Sequence, residues 1–147
     1  MATKNIEDAA KPIQDVWKEI QHEFIKVSPG KYLELTAVYR SPEEQFELFK
    51  KGRVLTETGR WVVKYKEQVV TNVDGRKVLG AHNYKPSRAI DVVVVDNQTG
   101  KYLWEEKNYF SLGPIVETVG LEWGGSWKSI KDLPHIQIKN YKEYKGA

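Results

Sequence analysis

The 147-residue sequence has no cysteine. Disulfide staples and thiolate metal sites are therefore excluded, and any metal must be held by His, Asp or Glu. There is one Met and there are only three His, so imidazole chemistry rests on few positions. No apolar run approaches membrane-spanning length, and Met1 to Asp8 lacks the basic start and apolar stretch of a secretion signal. A product that acts outside the cytoplasm without such a signal must be let out by something else. Charge of one sign is scarce too: 23 Lys and Arg against 20 Asp and Glu leave +3. With no basic block and no recognition motif, neither a nucleic-acid partner nor a stable membrane association is expected.

What is present describes an ordinary soluble domain, with 40% hydrophobic and 29% charged residues. A monomeric single domain over residues 1–147 is expected, long enough to bury a core. The five Trp and eight Tyr suit a groove as well as a core.

Ile13, Trp17, Ile20, Phe24 and Val27 recur at steps of four and three, which predicts a helix over residues 10–27 ended by Ser28-Pro29-Gly30. His22 falls opposite Ile13 on that helix and is expected in solvent. Leu33 to Tyr39 reads as a strand. Ser41-Pro42-Glu43-Glu44 then starts a helix, with Ser41 as cap, Pro42 in first position and Glu44 closing a capping box; it runs to about Lys51. Trp61 to Tyr65 alternates like hairpin material. Ala89 to Asp96 is the clearest strand, its four consecutive Val residues reading as buried on both faces. A helix over 108–119, with Pro114 kinking it or starting its second half, and a last strand over 135–138 complete an α+β domain, helices packed on a small, mostly antiparallel sheet.

Three residues stand in odd places for structural residues. His82 lies in a loop after Leu79-Gly80-Ala81, and His135 follows Pro134 at the start of a strand. Asp91 interrupts an apolar strand on the side of Val93 and Val95. A buried carboxylate is costly unless paired or metal-bound, so Asp91 either pairs with a base such as Arg88 or Arg40 or joins the two His around a metal. Three ligands with a fourth position open to water is the catalytic zinc pattern. Asp132 precedes His135 by three residues. Strand alternation would part them, but a turn through Pro134 can bring both to one water, whose proton a carboxylate can take. The alternative role for Asp132 is to cap a turn.

These positions sit inside longer motifs. Val69-Val70-Thr71-Asn72, Gly75, His82-Asn83 and Pro86-Ser87-Arg88-Ala89-Ile90-Asp91-Val92-Val93 resemble the first metal motif of the zinc D-alanyl-D-alanine carboxypeptidase and L-alanyl-D-glutamate peptidase family (VanY-like), which includes many phage endolysins. Gly120 to Trp127, followed by Asp132-Leu133-Pro134-His135-Ile136-Gln137, resembles its second. Tyr39-Arg40-Ser41 with Glu44-Gln45, Leu48 and Gly52-Arg53 resembles its N-terminal signature, so the likeness covers about residues 33–138.

The resemblance implies Zn2+ held by His82, Asp91 and His135, with Asp132 as catalytic carboxylate and Arg40 binding substrate or steadying the oxyanion. Gln45 and Trp123 also match, though packing and helix-start roles explain them as well. It implies a peptidoglycan hydrolase of the endolysin branch that cuts the L-Ala–D-Glu bond, made in the host bacterial cytoplasm and let through to the wall by a separate membrane-permeabilising protein. The alternatives are a D-alanyl-D-alanine carboxypeptidase and an inactive wall-binding module. Two departures stand out: Gly80 replaces the family Ser, removing a candidate substrate hydrogen bond, and eight residues rather than six separate His82 from Asp91. Residues 54–67 are an extra length, expected to form an exposed hairpin or lid.

Overall fold

The computed structural model describes residues 1–146. Helix α1 (Lys11–Val27) buries Ile13, Trp17, Ile20 and Phe24. Val27, the fifth member of the expected stripe, lies exposed at the last position of the helix, and His22 is exposed as its position dictates. Strand β1 (Lys31–Ala37) is followed by α2 (Pro42–Lys50), where Ser41 Oγ accepts the Glu44 N–H as the cap pattern requires. Strands β2 (Arg53–Leu55) and β3 (Trp61–Val63) form a separate two-stranded hairpin. The remaining elements are β4 (Ala89–Asp96), β5 (Tyr102–Leu103), α3 (Leu112–Thr118), β6 (Glu122–Trp123) and β7 (His135–Gln137).

The main sheet has the order β1-β4-β7-β6, with β5 also paired to β4, and every pairing is antiparallel. Strand β4 is its centre, which explains the unbroken Val92 to Val95: all four are buried. Ile90, Val92 and Val94 join α1 and α3 in the main apolar core. That leaves Asp91 on the opposite face, where the site forms.

One expected element is displaced from its pattern and one is shorter: β1 lies two residues earlier than expected, with the same length. β1 stops at Ala37 because the register slips between Leu35 and Ala37, freeing the Val38 carbonyl for other work. The expected 108–119 helix begins only at Leu112; residues 106–108 form a separate 3-10 turn. Pro114 sits in the first helical turn, where its missing N–H leaves no bond unmade. The two-residue strands β5 and β6 were beyond periodicity, since two residues carry no alternation.

Candidate metal centre and active site

Three segments deliver the three candidate ligands. Asp91 on β4 pairs in register with His135 on β7, which sets the two side chains next to each other. His82 lies in a one-turn 3-10 helix (Ala81–Asn83) clamped to the end of β1: Arg40 N–H donates to the His82 carbonyl at 2.9 Å, and Asn83 Nδ2 donates to the Arg40 carbonyl at 2.9 Å. His82 and His135 are buried, and one ligand atom from each of His82, Asp91 and His135 falls within 4.8 Å of the others.

Proton accounting decides what this cluster wants. His82 Nδ1 lies 2.7 Å from the Val38 carbonyl, an obligate acceptor, so Nδ1 carries the proton and Nε2 presents a lone pair. That buried Nε2 makes no hydrogen bond, although Asp91 Oδ1 is 3.1 Å away. The His135 tautomer follows from a longer chain. The Glu122 carboxylate only accepts; its Oε2 takes Trp127 Nε1–H at 2.8 Å and Gln137 Nε2–H at 3.1 Å. Gln137 therefore turns its Oε1 to His135 Nε2, 2.8 Å away, and Nε2 must donate. His135 Nδ1 is left with a lone pair facing Asp91 Oδ1 at 3.0 Å. Two imidazole lone pairs and a carboxylate meet with no proton among them, an arrangement that fits a cation. Two nitrogens and one oxygen with room for a fourth ligand match the preferences of zinc.

The surroundings hold Asp91 in its charged form. Burial alone would raise the Asp91 carboxyl, but His82 and His135 outweigh it and hold Asp91 far below the usual carboxylate range. Arg40 adds its Nη2 at 3.7 Å from Asp91 Oδ2. Arg88, the other base considered for Asp91, instead stacks on Tyr84 and donates to the Tyr141 carbonyl at 2.6 Å. For His135, burial works against the imidazolium, yet the Asp91 bond and the Asp91 and Asp132 charges raise its pKa, so a proton and a cation compete for the same Nδ1.

Asp132 reaches the centre through a turn. The His135 N–H donates to the Asp132 carbonyl at 3.1 Å, and the Asp132 N–H donates to the Gly124 carbonyl at 3.1 Å. This places Asp132 Oδ2 3.9 Å from His135 Nδ1, half-exposed on the cleft. Burial and the neighbouring Asp91 charge raise its pKa, which moves it toward the range of a useful base. Gly124 is required here: a Cβ would stand 2.3 Å from the Asp132 carbonyl oxygen. Trp123 holds the same turn from behind, its Nε1–H donating to the Leu133 carbonyl at 2.7 Å.

Arg40 enters the same cleft. Gln45 holds it through Oε1, 3.3 Å from Nη1, and is itself fixed by donating to the Val73 carbonyl at 3.1 Å. The cleft encloses about 660 Å3 and is lined by the three candidate ligands, Arg40, Asp132, Thr71, Trp127 and Lys131 among others. The five residues singled out in the sequence thus come together. The Glu122–Gln137 relay was not foreseen; its only sequence signal is that Gln137 shares a strand face with His135, two residues away.

Residues 74–138 match the family model described as D-alanyl-D-alanine carboxypeptidase. The peptidoglycan L-alanyl-D-glutamate endopeptidase CwlK of Bacillus subtilis is 31% identical over 113 residues, covering 71% of this chain. Over the matched residues the chain is similar to this peptidase family. It spans 59% of the Bacillus relative's length. An L-alanyl-D-glutamate peptidase of a Listeria phage is 31% identical over 86 residues, 56% of this chain and 30% of that protein. The crystal structure of the Serratia marcescens L-Ala D-Glu endopeptidase ChiX superposes with a TM-score of 0.58 at 21% identity, covering 93% of this chain and 86% of that one, a likeness of fold. In this chain Gly80 donates its N–H to Asn83 Oδ1 at 2.8 Å, and a Cβ there would come within 3.2 Å of that oxygen and 3.3 Å of Val73 Cγ1. A Ser at this position would have to push both neighbours back slightly.

Proposed function

We propose that this chain is a zinc-dependent endopeptidase that cuts the L-Ala–D-Glu bond of peptidoglycan stem peptides, with His82, Asp91 and His135 as the metal ligands. The observation that carries the reading is the convergence of His82, Asp91 and His135, with an unpartnered His82 Nε2, beside the Asp132 carboxylate and Arg40 in one cleft. Zinc bound there would supply Lewis acidity toward water and a substrate carbonyl. Asp132 accepts the proton of the attacking water and returns it to the leaving amine, which splits the peptide into a carboxylate and an amine. Arg40, anchored by Gln45, sets a guanidinium where negative charge builds on the carbonyl oxygen. Trp127, its ring 5.0 Å from that of His135, walls the centre.

The bond assignment rests on two relatives whose names carry it. A carboxypeptidase taking a terminal D-Ala would use the same centre, and Arg40 suits either substrate's carboxylate. An idle wall-binding module would have no use for Asp132. The phage source of one relative fits lysis of a host cell as the setting; synthesis in the host cytoplasm and passage to the wall through a separate membrane-permeabilising protein are part of this proposal. Among the described residues no helix is long and apolar enough to cross a membrane. Metal analysis tests the centre: one zinc per chain is expected, and none in His135→Ala. Unchanged zinc in that variant would refute the ligand assignment.

A further inference from the structure

Residues 51–77 carry seven Lys and Arg against three Asp and Glu, a net of +4 on a chain whose total is +3, so the rest of the molecule is at −1. Among the described residues none of these seven cations has a carboxylate within 4.0 Å. Arg53 and Arg76 are spent structurally, stacked on Phe49 and Phe46 at 3.9 and 3.6 Å. Arg60, Lys64, Lys66 and Lys77 stand in solvent. The hairpin that bears two of these cations adds nothing to the main core; Trp61 pins it through an edge contact with Phe46, ring centres 5.9 Å apart. The base of this lobe is part of the catalytic cleft, which Lys51, Val70, Thr71, Asn72 and Val73 line.

We infer that this cationic lobe is a docking surface for the carboxylates of peptidoglycan stem peptides neighbouring the one being cut. The inference rests on the substrate proposed above. D-Glu has two carboxyl groups and only one continues the chain, so an unmodified stem peptide with an L-Ala–D-Glu bond keeps a free carboxylate near that bond. A polymer threaded through the cleft carries more such charges past its rim, where unpaired cations on exposed side chains attract them within a Debye length of roughly 8 Å at physiological salt. The hairpin also exposes Leu55 and Val63, but a surface continuous with the cleft serves the polymer that the cleft already holds.

The test uses binding without turnover. Full-length Asp132→Asn protein is sedimented with insoluble peptidoglycan stripped of phosphate polymers, at low and at high salt, with and without the added changes Arg60→Gln, Lys64→Gln and Lys66→Gln. The triple change is expected to weaken binding about tenfold at low salt and to flatten its salt dependence. Amidating the peptidoglycan carboxyls should weaken the parent to the same level. Placed in the otherwise native chain, the triple change should leave turnover of a small soluble stem peptide unaltered. Equal binding by parent and triple variant would overturn the inference. So would charge-dependent binding confined to anionic phospholipid vesicles, or to peptidoglycan that keeps its phosphate polymers. If no stem peptide is cut at all, the substrate proposal fails, and the sedimentation result still stands as a separate reading.

Discussion

Gln137 is one hydrogen bond behind His135, and Glu122 is one behind Gln137. Their order fixes which ring nitrogen faces the metal position, so Gln137→Leu should weaken zinc binding by roughly 10- to 100-fold with the fold intact. Competition with a chelator measures this directly. Glu122→Gln should cost much less, because one amide oxygen can accept both donors that now share Oε2. Equal zinc affinity in parent and Gln137→Leu would show that packing alone orients His135. Asp132→Asn separates metal from chemistry: zinc content unchanged, kcat down by ~100- to 10,000-fold. Near-normal kcat would remove Asp132 from the base role. Gly124→Ala should act on the same carboxylate from behind, since its Cβ would collide with the Asp132 carbonyl. Backbone must move to admit it, at about 1–3 kcal/mol of stability, and thermal unfolding should register the loss. At this scale the sequence was legible where chemistry made a residue odd for its place: a carboxylate in a Val run, a His after Pro. Gln137 and Glu122 were not odd. A Gln on a short strand and a Glu before a Trp are common, and only the fold reveals that their polar atoms form a chain.

At the scale of elements, the caps and stripes read well from sequence, as Ser41 and the α1 core residues show. Ends read poorly, because β1 and α3 stop or start where tertiary hydrogen bonds intervene. The 74–78 turn did not stand out in the sequence beyond Gly75. It is tied by Asp74 Oδ1, which accepts the N–H groups of Arg76, Lys77 and Val78 at 2.9, 2.9 and 3.1 Å. Desolvation works against its charge, but those three bonds and the Lys77 charge together outweigh it and lower its pKa. A carboxyl depressed on folding contributes stability that is present above its unfolded value and lost as pH falls through the folded one. Asp74→Ala should therefore lower Tm at neutral pH, and the gap to the parent should close in strong acid. A gap that stays constant with pH would mean that the carboxylate charge is not what ties the turn. The hairpin of β2 and β3 stands apart from the main core. Replacing residues 54–67 by a short Gly-Ser loop should keep zinc content and most of the stability while altering use of the insoluble substrate. Global unfolding on that replacement would place the segment in the folding core.

At the scale of the molecule, a central antiparallel sheet turns its Ile90, Val92 and Val94 face to the helices and its Asp91 face to a cleft of about 660 Å3. The fold class was visible in the mixture of periods. The strand order was not, since β7 inserts between β4 and β6 and nothing in the local pattern states which edges pair. The distribution of charge was similarly hidden behind a modest total. What the whole arrangement does is best tested on the proposed polymer. Purified peptidoglycan is digested with the zinc-loaded chain and the soluble fragments are read by mass spectrometry. The account expects new peptides beginning with D-Glu and glycan strands that retain muramyl-L-Ala, both absent with Asp132→Asn. Stoichiometric free D-Ala with no new D-Glu amino termini would contradict it.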